Sequence, residues 1–138
     1  MVQEKIGLDS TKIDFLKKIG ADESGHYNQT LMEHLIGVHD RLQKRGSPQY
    51  LCDAGLFHSV YGTASYHTQS TNDRDAVREL IGERAEELVN WFCACAKPRM
   101  QNILRLPPGD FQRDLLVLNW ANEEDMRDTD VPRLDGYS

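Results

Sequence analysis

The strongest constraint in this sequence is a helical apolar pattern with histidines at its core-facing positions. A predicted helix over residues 28–44 carries the apolar stripe Leu31, Leu35, Val38 and Leu42. His34 lies on one shoulder of that stripe, and His58 lies at the end of the next predicted helix, residues 47–58. A buried imidazole without a hydrogen-bond partner or a metal is costly. We therefore expect packed helices that bring both rings to a shared pocket.

The rest of the chain also has mostly helical periodicity. Asp9 is a candidate N-cap of a first helix that Gly20 ends, and further helices are predicted over 73–80, 83–96 and 110–126. Few windows alternate with a period of two, so a substantial sheet is not expected. The prediction is an all-α, single-domain helical bundle of five to seven helices over residues 1–126. Residues 127–138 are predicted to form a polar, irregular tail.

Composition narrows the classes of partner. A chain of 138 residues with 39% hydrophobic residues can bury one core. Its net charge of −6 disfavours nucleic acid, because phosphate binding needs a concentrated basic face. The sequence has no apolar run of membrane-spanning length and no signal-peptide pattern, so we expect no membrane partner and a cytoplasmic location. The expected partner is a small-molecule ligand, and the oligomeric state is left open.

The three cysteines do not form a redox or disulfide pattern. Cys93 and Cys95 are two positions apart on a predicted helix, which points them to nearly opposite sides. With Cys52 the number is odd. Buried free thiols are the expected state.

Two sequence blocks carry a resemblance to a known family. Glu33-His34-Leu35 and the small-apolar run Ala54-Gly55-Leu56-Phe57-His58 resemble the first and second metal-binding blocks of the HD-domain superfamily. That superfamily comprises helical metal-dependent phosphohydrolases and their relatives. The local match is most similar to the hydrolase domain of stringent-response nucleotide hydrolases, and it extends over residues 28–125. It implies an HD-like helical fold with His34 and His58 as metal ligands.

The sequence departs from the HD pattern at the acidic positions. Ser59 stands where the second histidine should be followed by Asp, and Asn122 stands where the final Asp is expected. The acidic pair of the stringent-response hydrolases falls on Gly62 and Thr63. Carboxylates supply both charge and geometry to a divalent ion, so the resemblance implies an altered metal site. The candidate ion is iron, manganese or zinc. Its candidate ligands are His34, His58, His26 and Asn122, with Ser59 and Glu33 as replacements.

Several functions follow from this resemblance. The first is an enzyme, or an enzyme-derived protein, that hydrolyses a phosphate ester, oxidises a substrate at an iron centre, or uses His58 in metal-free acid–base chemistry. His58 and Ser59 are the candidate catalytic residues, although no acid that would orient a Ser59 nucleophile is identified. The alternative is a non-catalytic small-ligand-binding module on a degenerate HD scaffold. A helical interaction protein is a third class, and it would need an exposed apolar stripe.

The segment after His58 contains candidate ligand-binding residues. Tyr61, Thr63 and Tyr66 present hydroxyls near the expected mouth of the pocket, where local turn hydrogen bonds are the competing role. Arg74 is a candidate for an anionic ligand, with surface ion pairing to acidic neighbours as the alternative.

Two further patterns are interpreted as unrelated to the site. The dipeptide His39-Asp40 lacks a preceding small-apolar run, and we expect an exposed or half-buried helical pair. The acidic run Glu123-Glu124-Asp125 is expected to be a solvated helix end.

Overall fold

The computed structural model describes residues 9–19, 25–26, 29–62 and 71–128, and of residues 25–26, 29–30 and 128 it describes the backbone alone. In chain order the elements are α1 (Ser10–Lys18), β1 (Gly25–His26), β2 (Gln29–Thr30), α2 (Leu31–Lys44), α3 (Gln49–Leu56), α4 (Arg74–Ile81), α5 (Glu83–Ala94), α6 (Arg99–Leu104) and α7 (Asp110–Asp128). The predicted all-α bundle is confirmed. The two strands are a single antiparallel pair of two residues each.

The helix boundaries follow local capping chemistry. Asp9 caps α1 by accepting a hydrogen bond from the Thr11 backbone N–H at 2.7 Å, and Asp73 caps α4 through the Ala76 N–H at 3.1 Å. Gly82 joins α4 to α5 with a φ of +90°, a conformation that L side chains rarely adopt. Gly82 thus separates the two helices that were predicted over residues 73–80 and 83–96.

Some predicted boundaries were wrong. Helix α2 begins at Leu31 rather than near residue 28, because Gln29–Thr30 pairs with Gly25–His26. The helix α6 was not predicted, because it has only six residues and lies between Pro98 and Pro107. Helix α7 continues to Asp128, two residues into the predicted tail.

Helix α2 lies at the centre of the core and packs against α3 and α7. The close approach of α2 and α3 depends on the missing side chain of Gly55. A Cβ at this position would stand 2.6 Å from Leu42 Cδ1 and 3.1 Å from Val38 Cγ1. This contact brings the end of α3, and therefore His58, onto the inner face of α2. None of the described helices is both long and apolar enough to cross a membrane.

Candidate functional site: a buried histidine pair

The structure brings the His34 and His58 rings together in the core. Their centroids are 5.1 Å apart in an edge-to-face arrangement, and the Phe92 ring of α5 packs against His58 at 5.5 Å. Only 1% of His34 and 2% of His58 is exposed. At this depth every ring nitrogen needs a partner.

The outer nitrogen of each ring faces a hydrogen-bond acceptor. His58 Nδ1 lies 2.8 Å from the Gly55 carbonyl oxygen, one turn back along the chain. His34 Nδ1 lies 2.7 Å from Oδ2 of Asp125, which is on α7. A carbonyl oxygen and a carboxylate can only accept, so both Nδ1 atoms carry a hydrogen. The two Nε2 atoms therefore point inward.

The Asn122 side chain lies between the two inner nitrogens. Its amide oxygen is 2.8 Å from His34 Nε2 and 3.1 Å from His58 Nε2. Asn122 is 1% exposed and comes from α7, which packs directly on α2. One carboxamide thus contacts both rings, and the three predicted residues His34, His58 and Asn122 form one cluster.

The protonation of His58 decides which end of the amide faces the rings. Burial, reinforced by the neighbouring His34 ring, lowers the pKa of His58 to about 3. His58 is therefore neutral near pH 7, and because Nδ1 holds its hydrogen, Nε2 is an acceptor. An acceptor needs a donor, so the NH₂ group of Asn122 must face the rings. That group has two hydrogens, one for each Nε2.

Asp125 anchors the cluster from outside. It is 5% exposed and accepts from His34, and Arg41 Nε donates to its other oxygen at 3.4 Å. Burial alone would raise the pKa of Asp125, but the hydrogen bonds from His34 and Arg41, together with the charge of Arg41, outweigh it and hold the pKa below its usual value. The expectation of a solvated acidic helix end is wrong for Asp125. It lies one turn beyond Asn122 and shares its inward face.

Ser59 follows His58 and is also buried, with 4% of its surface exposed. Its hydroxyl oxygen has no hydrogen-bond partner among the described residues, and the same holds for the second polar atom of the Asn122 amide. The two positions where Ser and Asn replace expected carboxylates therefore both carry an unsatisfied polar atom.

The donor set does not match a divalent cation. Within the described part of the chain, no group of three or more His, Cys, Asp or Glu side chains is arranged to hold a metal ion. The inner atoms of His34, His58 and Asn122 bring no negative charge, and the Asp125 carboxylate bonds to the outer nitrogen of His34. A dication there would be buried with little compensation. Of the suggested replacement ligands, Glu33 is exposed, and the side chain of His26 lies outside the described residues.

Two of the predicted ligand-binding residues, Tyr61 and Arg74, contact Glu86 rather than the histidine cluster. Tyr61 donates its hydroxyl hydrogen to Glu86 Oε2 at 2.7 Å, and Arg74 donates to both Glu86 oxygens at 2.7 and 2.9 Å. The predicted residues Thr63 and Tyr66 lie outside the described part of the chain. Glu86 on α5 thus binds both Tyr61, which follows α3, and Arg74, the first residue of α4.

Glu86 is a completely buried carboxylate. Burial would raise its pKa, but the hydrogen bonds from Arg74 and Tyr61 outweigh it and lower the pKa below 4.5. Sequence analysis did not single out Glu86, because it sits in the charged run Glu83-Arg84-Ala85-Glu86-Glu87. The available signal of its burial was its position, one turn before Val89 and Asn90 and next to the core-facing Ala85.

The interpretation of His39 as exposed or half-buried is wrong. The side chain of His39 on α2 is completely buried, and its Nδ1 lies 2.9 Å from Oδ1 of the half-exposed Asp40. Its Nε2 has no hydrogen-bond partner in the described part of the structure. The cysteines behave as expected: all three are free and buried. Burial raises the pKa of Cys93 to about 12, so its thiol is unreactive.

Two clefts lined by described residues lie elsewhere, on either side of α6. One of about 320 Å³ is lined by Lys97, Pro98, Arg99, Met100, Asn119 and Glu123. The other, of about 350 Å³, is lined by Trp91, Ala94, Cys95, Ala96, Asn102 and Arg105. Neither cleft is lined by His34 or His58.

Fold and site together define an all-α bundle with a buried, amide-bridged histidine pair. The family described as "Domain of unknown function (DUF6817)" matches residues 15–97, more than half of the chain, and the chain belongs to this family. The matched range includes His34, His58 and Ser59, whereas Asn122 and Asp125 lie beyond it. No curated protein and no solved structure matches the chain.

Proposed function

We propose that this chain is an HD-derived small-ligand-binding protein that works without a catalytic metal. The observation that carries this proposal is the position of Asn122, whose amide lies within 2.8 and 3.1 Å of the two Nε2 atoms that would ligate an ion. An NH₂ group that donates to both rings satisfies them without a cation. The HD ancestry itself is part of the proposal and rests on the His34 and His58 blocks.

Proton-transfer chemistry fits this cluster poorly. A histidine whose pKa is about 3 is a weak base at neutral pH, and His58 already uses both ring nitrogens in the core. Hydrolysis that depends on His58 and Ser59 would need both residues to become accessible. In a binding protein, the histidine cluster needs only to hold α2, α3 and α7 together.

A metal-dependent hydrolase or oxygenase is the second candidate, with iron, manganese or zinc on His34 and His58. The His34–Asp125 contact favours it, because metal-binding histidines usually donate their other N–H to a carboxylate. In that case Asn122 and Ser59 would have to supply oxygen ligands in place of the two missing carboxylates.

Metal loading distinguishes the two candidates. Protein purified without chelator should contain less than about a tenth of an equivalent of iron, manganese or zinc, allowing for losses. Added Zn²⁺ or Mn²⁺ should leave its melting temperature unchanged. The Ser59→Asp/Asn122→Asp variant restores two carboxylates and should gain both metal content and a metal-dependent rise in melting temperature.

Asn119→Asp is the matched control, since Asn119 is a buried asparagine one turn away on the same helix. It should gain no metal. One tightly held equivalent of a transition metal in the unaltered protein would overturn the metal-free proposal. Failure of the double variant to bind metal, in a folded state verified by circular dichroism, would overturn the HD-derived geometry.

A further inference from the structure

The cleft between the start of α6 and the middle of α7 has the properties of a ligand site. Its volume of about 320 Å³ is at the lower end of the range for small-molecule pockets, about 300–1,000 Å³. Pro98 and Met100 supply apolar walls, and Met100 is 45% exposed. The cleft therefore suits a small molecule with an apolar body.

A rigid cation lies in the wall of this cleft. Arg99 is 7% exposed, and its guanidinium carbon stacks 4.2 Å from the centre of the Phe92 ring. Phe92 in turn packs on His58. The histidine cluster thus supports Arg99 through one aromatic ring, and this positions the guanidinium group before any ligand arrives.

The polar groups of the cleft point to an anion with a hydrogen-bond donor. Lys97 and Arg99 carry two positive charges against the single negative charge of Glu123, which leaves the lining with one excess positive charge. Asn119 is 5% exposed, and its Oδ1 has no hydrogen-bond partner among the described residues. A buried acceptor of this kind costs free energy until a donor reaches it.

We propose that this cleft binds a small carboxylic acid with an apolar body and an amino or hydroxyl group next to the carboxylate. The carboxylate contacts Lys97 and Arg99, the apolar body lies on Pro98 and Met100, and the donor group reaches Asn119. Guanidinium groups match carboxylates in shape and charge. This inference rests on the proposed binding role and gives it a location and a ligand class.

Three probes with the same branched apolar body test the ligand class. Leucine carries both groups, 4-methylpentanoate carries the carboxylate alone, and isopentylamine carries the ammonium alone. The full chain, labelled with ¹³C at the methionine methyls, is titrated with each probe in turn. The Met100 methyl resonance should move most readily with leucine, less readily with 4-methylpentanoate, and not with isopentylamine, at millimolar concentrations.

Two variants, one of a lysine in this cleft and one of an arginine in the neighbouring cleft, test where leucine binds. Lys97→Gln should weaken leucine binding about tenfold, the loss of one charged contact. Arg105→Gln, which removes a cation from the neighbouring cleft, should leave it unchanged. Lys97 is exposed, so the first variant is expected to fold.

Three results would overturn this inference: no movement of Met100 with any probe, equal movement with isopentylamine, or equal weakening by the two variants. These results are independent of the metal test. A protein that takes up zinc but still binds leucine would contradict the proposed function and leave this site intact. A metal-free protein that does not bind the probes would contradict the site alone.

Discussion

The Asp125 carboxylate occupies the space that a side chain at Gly37 would need. A Cβ on Gly37 would stand 2.1 Å from Asp125 Oδ1, far inside van der Waals contact. Gly37 lies on α2 one turn after His34, so its missing side chain lets α7 bring Asp125 onto the His34 ring. The anchoring of the histidine pair therefore depends on a glycine that sequence analysis did not single out.

Substituting Gly37 by Ala tests this relationship, because the effect on the free energy of unfolding should have opposite signs with and without the Asp125 side chain. Gly37→Ala should lower the free energy of unfolding, because displacing Asp125 costs about 1–3 kcal/mol and exceeds the helix-propensity gain of up to about 1 kcal/mol. In an Asp125→Ala background the clash is absent, so the same substitution should raise the free energy of unfolding. Urea unfolding of the four proteins measures both effects. The same sign in both backgrounds would refute the contact.

The buried His58 makes stability depend on pH. Its pKa is about 3 in the folded state and near 6.5 when the chain is unfolded, so only the unfolded state takes up this proton between those values. The resulting stability is complete above pH 6.5 and is lost as the pH falls toward 3. The slope contributed is up to about 1.4 kcal/mol per pH unit.

The measurement is urea unfolding of the unaltered protein and of His58→Asn between pH 7 and 5, above the range where Asp125 and Glu86 titrate. The variant should be less stable at pH 7 and should have a shallower pH slope. Equal slopes in the two proteins would mean that His58 is not held neutral in the core.

The Glu86 contacts give a third prediction. Arg74→Gln removes two hydrogen bonds from a fully buried carboxylate, and this should cost about 1–3 kcal/mol of unfolding free energy. Arg78→Gln is the matched control. Arg78 bonds mainly to the exposed Asp75 and lies 4.0 Å from Glu86, so its loss should lower the free energy of unfolding much less than the loss of Arg74. Thermal and urea unfolding of both variants provide the comparison, and equal losses would count against a special role for Arg74.

The helices and the histidine pair could be predicted because their signals are local. Apolar spacing identified α2, and the capping residue Asp9 identified the start of α1. Helix α6 was not recognised in the sequence, because six residues between prolines are too few to show a helical apolar period. Whether the resemblance to HD proteins reflects ancestry remains a prediction.

The buried carboxylates Asp125 and Glu86 could not be predicted, because their burial depends on how distant helices pack. Asp125 and Glu86 sit in charged runs that usually face solvent, and only the tertiary structure shows which member of each run turns inward. The signals present were relative positions: Asp125 lies one turn after Asn122, and Gly37 one turn after His34. His39 also had such a signal, since it lies one turn after Leu35 and one turn before Leu42, but its neighbours Asp40 and Arg41 are charged.

Long-range ¹H–¹⁵N NMR of the histidine rings, recorded near neutral pH on protein treated with chelator, is the most direct test of the amide bridge. The account predicts that His34 and His58 both carry hydrogen on Nδ1, that both Nε2 atoms are bare acceptors, and that Asn122→Asp changes both. Added zinc should leave the spectrum of the unaltered protein as it was. An Nε2–H on His58, or zinc-dependent shifts of the two Nε2 resonances, would contradict it.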